Sequence, residues 1–179
     1  MIVAHHGRPS RSPYFHRRFA GGQEATDDEG PGFYFTTDRA QARGHAGNDG
    51  CVITAQLNVP EWVPRKGKLP ELAATALWAS ASQQARQNFL DNWGGDFTGA
   101  WDNIRKHDDG EIHECLQRFW YDLYTPSRSA EFLRAISLFY QGVEIKHPEC
   151  THYVIFDPDV IEVLQVLYAQ NGATWERPE

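Results

Sequence analysis

The chain has 179 residues, 41% of them hydrophobic and 13% aromatic, and a formal net charge of −7. Length and composition suit a single packed domain over residues 1–179 and exclude a disordered chain. The acidic balance excludes a broad phosphate-gripping surface, so no non-specific nucleic-acid binding is expected.

Residues 2–4 begin a strand that leads into His5-His6-Gly7. The stretch 8–31 is rich in Arg, Ser, Gly and Asp and ends on the turn sequence Glu29-Gly30-Pro31-Gly32. Residues 33–37 are aromatic and β-branched and read as a strand. Thr37 or Asp38 then caps a short helix over 39–43. After a Gly47 to Gly50 turn, residues 51–57 alternate as a half-buried strand. Three prolines, Pro60, Pro64 and Pro70, mark a loop. Helix is predicted from 72 to about 93, from 99 to 106, from 111 to 124 and over 129–141, where Phe132, Leu133, Ile136, Phe139 and Tyr140 recur at helical spacing. Short strands follow at 144–146, 153–156 and 160–167, with Ile161, Val163 and Leu167 facing one way if strict alternation holds. Strands at both ends with helices between them predict an α+β fold.

Three cysteines, Cys51, Cys115 and Cys150, are odd in number and have no metal-type spacing. A disulfide framework and a zinc site are therefore not expected, and a reducing compartment is the default. No apolar run has the length of a signal-peptide core or a membrane span, so a cytoplasmic setting is expected, in the protein's own cell or a host's, with no membrane contact. Arg8, Arg11, Arg17 and Arg18 concentrate positive charge near the N-terminus. They read either as a solvated basic loop or as a pyrophosphate cradle. No Gly-x-Ser-x-Gly elbow suggests Ser-His-Asp chemistry.

Three segments carry more together than singly. Val3-Ala4-His5-His6-Gly7 closes the first strand, Gly30-Pro31-Gly32-Phe33-Tyr34-Phe35-Thr36 precedes a small-residue helix, and Thr151-His152-Tyr153-Val154-Ile155-Phe156-Asp157 lies near the C-terminus. In this order they resemble the three motif strands of the ADP-ribosyltransferase superfamily, in its His-Tyr-Glu branch. That branch holds the poly(ADP-ribose) polymerase and diphtheria-toxin-like enzymes and small bacterial and phage transferases. The resemblance covers about residues 2–57 and 143–167. It implies a pair of packed small β-sheets, with the mainly helical segment 69–141 as an insertion.

The resemblance implies NAD⁺ as substrate; no His/Asp/Glu cluster has metal spacing, so no metal is expected. The Gly7 backbone would hold the nicotinamide amide, His6 the adenosine ribose, and Tyr34, with Phe35 and Thr36 beside it, would stack on the nicotinamide ring. Arg8 or Arg11 would hold the pyrophosphate. Only His6 directly precedes glycine, although His5 is an alternative motif residue. His45 and His113 read as surface or helix-face residues. At the third motif the family's Glu is replaced by His152, which can accept a hydroxyl hydrogen bond or act as a general base but supplies no negative charge. Three readings follow: a mono-ADP-ribosyltransferase acting on a protein or other macromolecule, as toxins and phage effectors do; a transferase using another carboxylate, Glu149, Glu111 or Glu114; or an inactive module that binds NAD⁺ or ADP-ribose, or inhibits a partner. An RNA 2′-phosphotransferase, which shares the fold, is a further alternative that the net charge disfavours.

Overall fold

The structure, a computed structural model, describes residues 1–16, 31–67, 69–107, 111–124, 129–170 and 174–176. The chain is α+β, as the order of elements in the sequence implies. Seven antiparallel strands form one hydrogen-bonded sheet: β1 (Ile2–Arg8), β2 (Phe33–Thr36), β3 (Cys51–Leu57), β4 (Gly142–Lys146), β5 (Thr151–Ile155), β6 (Ile161–Gln170) and β7 (Thr174–Glu176). Their order across the sheet is β4-β5-β2-β1-β3-β6-β7.

The sequence resemblance implies two small sheets, and the observed arrangement is a continuous sheet with one weak joint. β1 and β3 pair along their whole length, from Ile2↔Leu57 to Arg8↔Cys51. Between β1 and β2 the ladder is reduced to His5↔Thr36. The sheet therefore consists of two halves, β4-β5-β2 and β1-β3-β6-β7, hinged on that pair.

One short helix, α1 (Arg39–Ala46), packs on the face of β1 to which Gly7 belongs. Asp38 caps it by accepting from the Ala40 backbone N–H at 2.8 Å. Ala42 and Ala46 pack on Val52 in a small cluster of their own. The helix lies so close to β1 that a Cβ on Gly7 would sit 1.8 Å from the Ala42 carbonyl oxygen, and a Cβ on Gly50 would sit 2.0 Å from the Arg8 carbonyl oxygen. Both positions need glycine for the approach of backbone to backbone.

Segment 69–141 is helical and supplies much of the main core. It contains α2 (Glu71–Ser80), α3 (Gln83–Trp93), α4 (Phe97–His107), α5 (Ile112–Leu123) and α6 (Ser129–Ile136). Phe119 of α5 stands at its centre, with ring centroids 5.1 Å from Phe89, 5.4 Å from Trp101 and 5.7 Å from Phe97. The same buried cluster includes Ala4, Phe35, Ala55, Tyr153 and Ile155 from the sheet. Helices and sheet thus share one core.

Several boundaries differ from the sequence expectation for identifiable reasons. The helix expected over 72–93 is interrupted at Ala81, because Ser82 starts a new helix by accepting from the Ala85 N–H at 3.2 Å. The helix expected over 129–141 ends at Ile136. The last strand is longer than 160–167, and a bulge opposite Thr54 and Ala55 breaks its alternation. Gln165 pairs with Thr54 and Val163 with Ala55, so Leu164 is the extra residue and Val163 and Leu167 lie on opposite faces. Leu167 is buried while Val163 and Leu164 are exposed.

Candidate functional site

The three motif segments fall on neighbouring strands, β5, β2 and β1. Thr36 is the register partner of His5 on one side and of His152 on the other. Paired residues in an antiparallel sheet project to the same face, so His5, Thr36 and His152 form a row. The row continues through Thr54, the partner of His5, and Gln165, the partner of Thr54. Two strand spacings place the His5 and His152 backbones about 10 Å apart. Tyr34, two residues before Thr36, lies on this face beside the row.

His5 is half-buried and its Nδ1 is 3.0 Å from the Thr54 hydroxyl. Burial holds its pKa below the usual histidine value, Arg39 adds to the effect and Asp38 opposes it. Thr36 accepts from the Asp38 N–H at 3.0 Å. Thr37 extends the pairing of β2 with β5, donating its N–H to the Thr151 carbonyl (3.0 Å) and accepting the Thr151 N–H on its hydroxyl (3.0 Å). That tie sets the first turn of α1 beside β5. Gln41 consequently reaches His152, with Oε1 2.9 Å from Nε2. Gln41 Oε1 accepts from the Nε2–H tautomer of the ring, in which Nδ1 carries the lone pair. The Cys150 sulfur is 3.3 Å from the same Nε2, and the His147 ring is centred 4.4 Å from that of His152.

His6 points to the other face. It is 5% exposed, and its ring packs against Phe15 and Phe35 at centroid distances of 5.2 and 5.4 Å. Nδ1–H donates to the Tyr34 carbonyl oxygen at 2.6 Å. Burial pushes its pKa down to about 4; Arg8 and His45 act in the same direction, and the Tyr34 bond opposes them. Nε2 is buried with no hydrogen-bond partner. Phe35, buried on this face, belongs to the core.

The N-terminal arginines are divided. Arg8 is the last residue of β1 and is buried; Nη1 donates to the carbonyls of Ser12 and Tyr14, both at 2.8 Å, and the guanidinium lies 4.9 Å from the Phe15 ring centre. It thereby closes the loop that follows β1. Arg11 is exposed, 5.1 Å from the Tyr168 ring centre. Arg17, Arg18, Glu29 and Gly30 lie outside the described residues. Glu149 is exposed on the turn between β4 and β5, closed by a bond from the His147 N–H to the Cys150 carbonyl (2.9 Å).

Glu111 and Glu114 lie elsewhere. With Trp62, Arg65, His113 and Lys146 they line a cavity of about 460 Å³ between β4 and the start of α5, and no motif residue lines it. Ligand atoms of Glu111, His113 and Glu114 come within 4.8 Å of one another. From the sequence no His/Asp/Glu cluster with metal spacing is expected; this grouping arises where the start of α5 gathers Glu111, His113 and Glu114. Arg65 Nε already donates to both Glu111 oxygens, at 3.0 and 3.3 Å.

Among the described residues, no helix is long and apolar enough to cross a membrane. No protein-family model matches the chain, and no curated protein matches it. Among solved structures, an anti-CRISPR protein is similar at a TM-score of 0.36 and 18% identity, over 91% of this chain and 95% of that chain, a likeness too distant to bear on function.

Proposed function

We propose that the chain binds NAD⁺ across β5, β2 and β1 and acts as a mono-ADP-ribosyltransferase on a protein or other macromolecular acceptor. The observation that supports this reading is the adjacency of the three motif strands, which brings segments more than a hundred residues apart in the chain into one row. In this reading Tyr34 stacks on the nicotinamide, and Thr36 and His152 face the nicotinamide ribose. The adenosine-ribose contact passes from His6 to His5, because His5 shares the face of Tyr34 and His152 while His6 is enclosed by Phe15 and Phe35.

The chemistry is a displacement at the ribose C1′. The bond from C1′ to nicotinamide nitrogen breaks, and its electron pair leaves on neutral nicotinamide. The acceptor's nucleophile bonds to C1′ and loses its proton to Nδ1 of His152 or to water. Gln41 would hold His152 in the tautomer that leaves Nδ1 basic.

A second reading, binding without turnover, is favoured by the residue at position 152, where an imidazole stands in place of the family's carboxylate. Incubation of NAD⁺ with the protein and a bacterial lysate, followed by mass spectrometry, separates the two. Nicotinamide release with an ADP-ribose adduct on a lysate protein, lost in Tyr34→Ala and His152→Ala, supports the transferase. An adduct on RNA would instead favour the phosphotransferase. NAD⁺ binding without release would favour the inactive module.

A further inference from the structure

The sheet ends at β4, and its outer edge opens onto the cavity beside α5. Gly142 sends its carbonyl away from β5, where it accepts from the Val63 N–H at 2.9 Å. Backbone groups alternate in direction along an antiparallel strand, so the N–H and C=O of Glu144 and the N–H of Lys146 also point away from β5. The neighbouring strand has the matching phase. The Thr151 carbonyl turns toward Thr37 and β2, so His152 turns its backbone to its partner Ile145 in β4. Among the described residues, the bridge between Trp62 and Gly142 is all that pairs with this outer side of β4.

The segment that makes that bridge then turns away. Trp62 pairs with Gly142 in parallel, but the Arg65 carbonyl accepts from the Ile112 N–H at 3.0 Å and Lys66 bridges to Glu111. A wedge therefore opens between residues 63–66 and β4, and this wedge is the cavity of about 460 Å³. Its charged lining comprises the carboxylates of Glu111, Glu114 and Glu144 and the cations of Arg65 and Lys146. Arg65 is engaged by Glu111 at 3.0 Å and Lys146 by Glu144 at 3.3 Å. Among the described residues, Glu114 is the lining carboxylate that no Lys or Arg holds; its side chain is 49% exposed and 3.9 Å from His113 Nε2.

We propose that β4 receives an extended peptide segment of a partner protein as an added strand, with a Lys or Arg side chain of that peptide directed to Glu114. In this mode of recognition the backbone pairing gives affinity and alternate side chains give specificity. Glu144 and Lys146 supply the backbone groups, and an added strand lies about 4.8 Å from the one it joins. Trp62, half-buried with its ring centred 5.7 Å from that of Tyr153, offers an apolar wall to a neighbouring side chain of the peptide. The carboxylate left over in the wedge favours a basic peptide and disfavours an acidic one or a nucleic acid. The proposal stands on this edge alone and does not depend on the NAD⁺ reading.

Selection of random heptapeptides displayed on phage against the immobilised full-length protein tests it, with the synthesised hits then titrated by fluorescence polarisation. The expected result is enrichment of sequences that set Lys or Arg among β-forming residues, with saturable binding to one site. Glu144→Pro removes an outward N–H and leaves the β4–β5 ladder intact. It should weaken binding about tenfold or more, the worth of one or two backbone hydrogen bonds. Glu144→Gln keeps the N–H and separates that loss from the loss of the carboxylate. Glu114→Gln should weaken the basic peptides by a similar factor, whereas Glu71→Gln, the same charge change on exposed α2, should have no effect. Circular dichroism confirms that each variant is folded, and Glu114→Gln decides the matter if Glu144→Pro is not. Absence of enrichment, enrichment of acidic sequences, or full affinity in folded Glu144→Pro or in Glu114→Gln overturns the proposal. Dimerisation of the free protein that Glu144→Pro abolishes would also overturn it, by giving the edge to a second copy of the chain.

Discussion

The imidazole Nδ1 of His6 lies 2.6 Å from the carbonyl oxygen of Tyr34, and this bond crosses the joint where β1 and β2 cease to pair. A side chain does there what the backbone ladder does elsewhere. It ties β1 to β2 beyond their single register pair. The same contact makes His6 a buried neutral group in the hinge between the two halves of the sheet.

A pH dependence follows from that burial. The His6 pKa falls from 6.5 to about 4 on folding, so between those values the unfolded chain carries a proton that the folded chain does not. Stability is unaffected by His6 above pH 6.5 and is lost as pH falls toward 4, by about 3 kcal/mol in all. Asparagine can still donate to the Tyr34 carbonyl but does not titrate. Urea midpoints at pH 7 and pH 5 should therefore differ less in His6→Asn than in the wild-type protein. An equal difference in both proteins would refute this role.

The seating of α1 makes a paired prediction. Gly7→Ala places a methyl group 1.8 Å from a backbone oxygen, and relief requires α1 to lift from β1. A loss of about 3 kcal/mol or more is expected. Gly44, within α1, has nothing within 4 Å of an added Cβ. Gly44→Ala should stabilise by about 0.4–1 kcal/mol through the unfolded chain. Chemical denaturation of the two variants checks both signs.

The helical segment should not behave as a separate unit. Phe119 is fully buried among Phe89, Phe97 and Trp101, and the cluster runs on into Phe35 and Tyr153 of the sheet. Phe119→Ala should cost about 3–5 kcal/mol. Unfolding followed by near-ultraviolet and far-ultraviolet dichroism should remain a single coincident transition. Two separated transitions would mean that helices and sheet have independent cores.

The sequence shows the strands more readily than the faces they present. Residues 51–57 alternate because one face packs on helices and the other is half-covered, and that period is visible locally. The bulge at Leu164 has no local mark, because it answers to a register set by β3. The break at Ala81 lacks Gly or Pro; its one cue is Ser82, a good N-cap within an otherwise helical run.

The site shows the same division. The pair His5-His6 is visible, and strand alternation requires the two to point apart. Which one enters the core is decided by Phe15 and Phe35, which the fold brings against the His6 ring. Gly7 is legible as a close-approach residue, but the body that approaches it is the Ala42 carbonyl. The spacing of Cys150 and His152 was readable as one-face geometry; the arrival of Gln41 depends on the tie between Thr37 and Thr151.

The central claim is that NAD⁺ occupies the row on β5, β2 and β1. Titrating NAD⁺ into isotope-labelled protein while following the ring resonances of its eight histidines tests it most directly. The account predicts saturable shifts at His5 and His152, abolished by Tyr34→Ala, with His113 unmoved. No shift at any histidine, or shifts confined to His113 beside the cavity at α5, would contradict it.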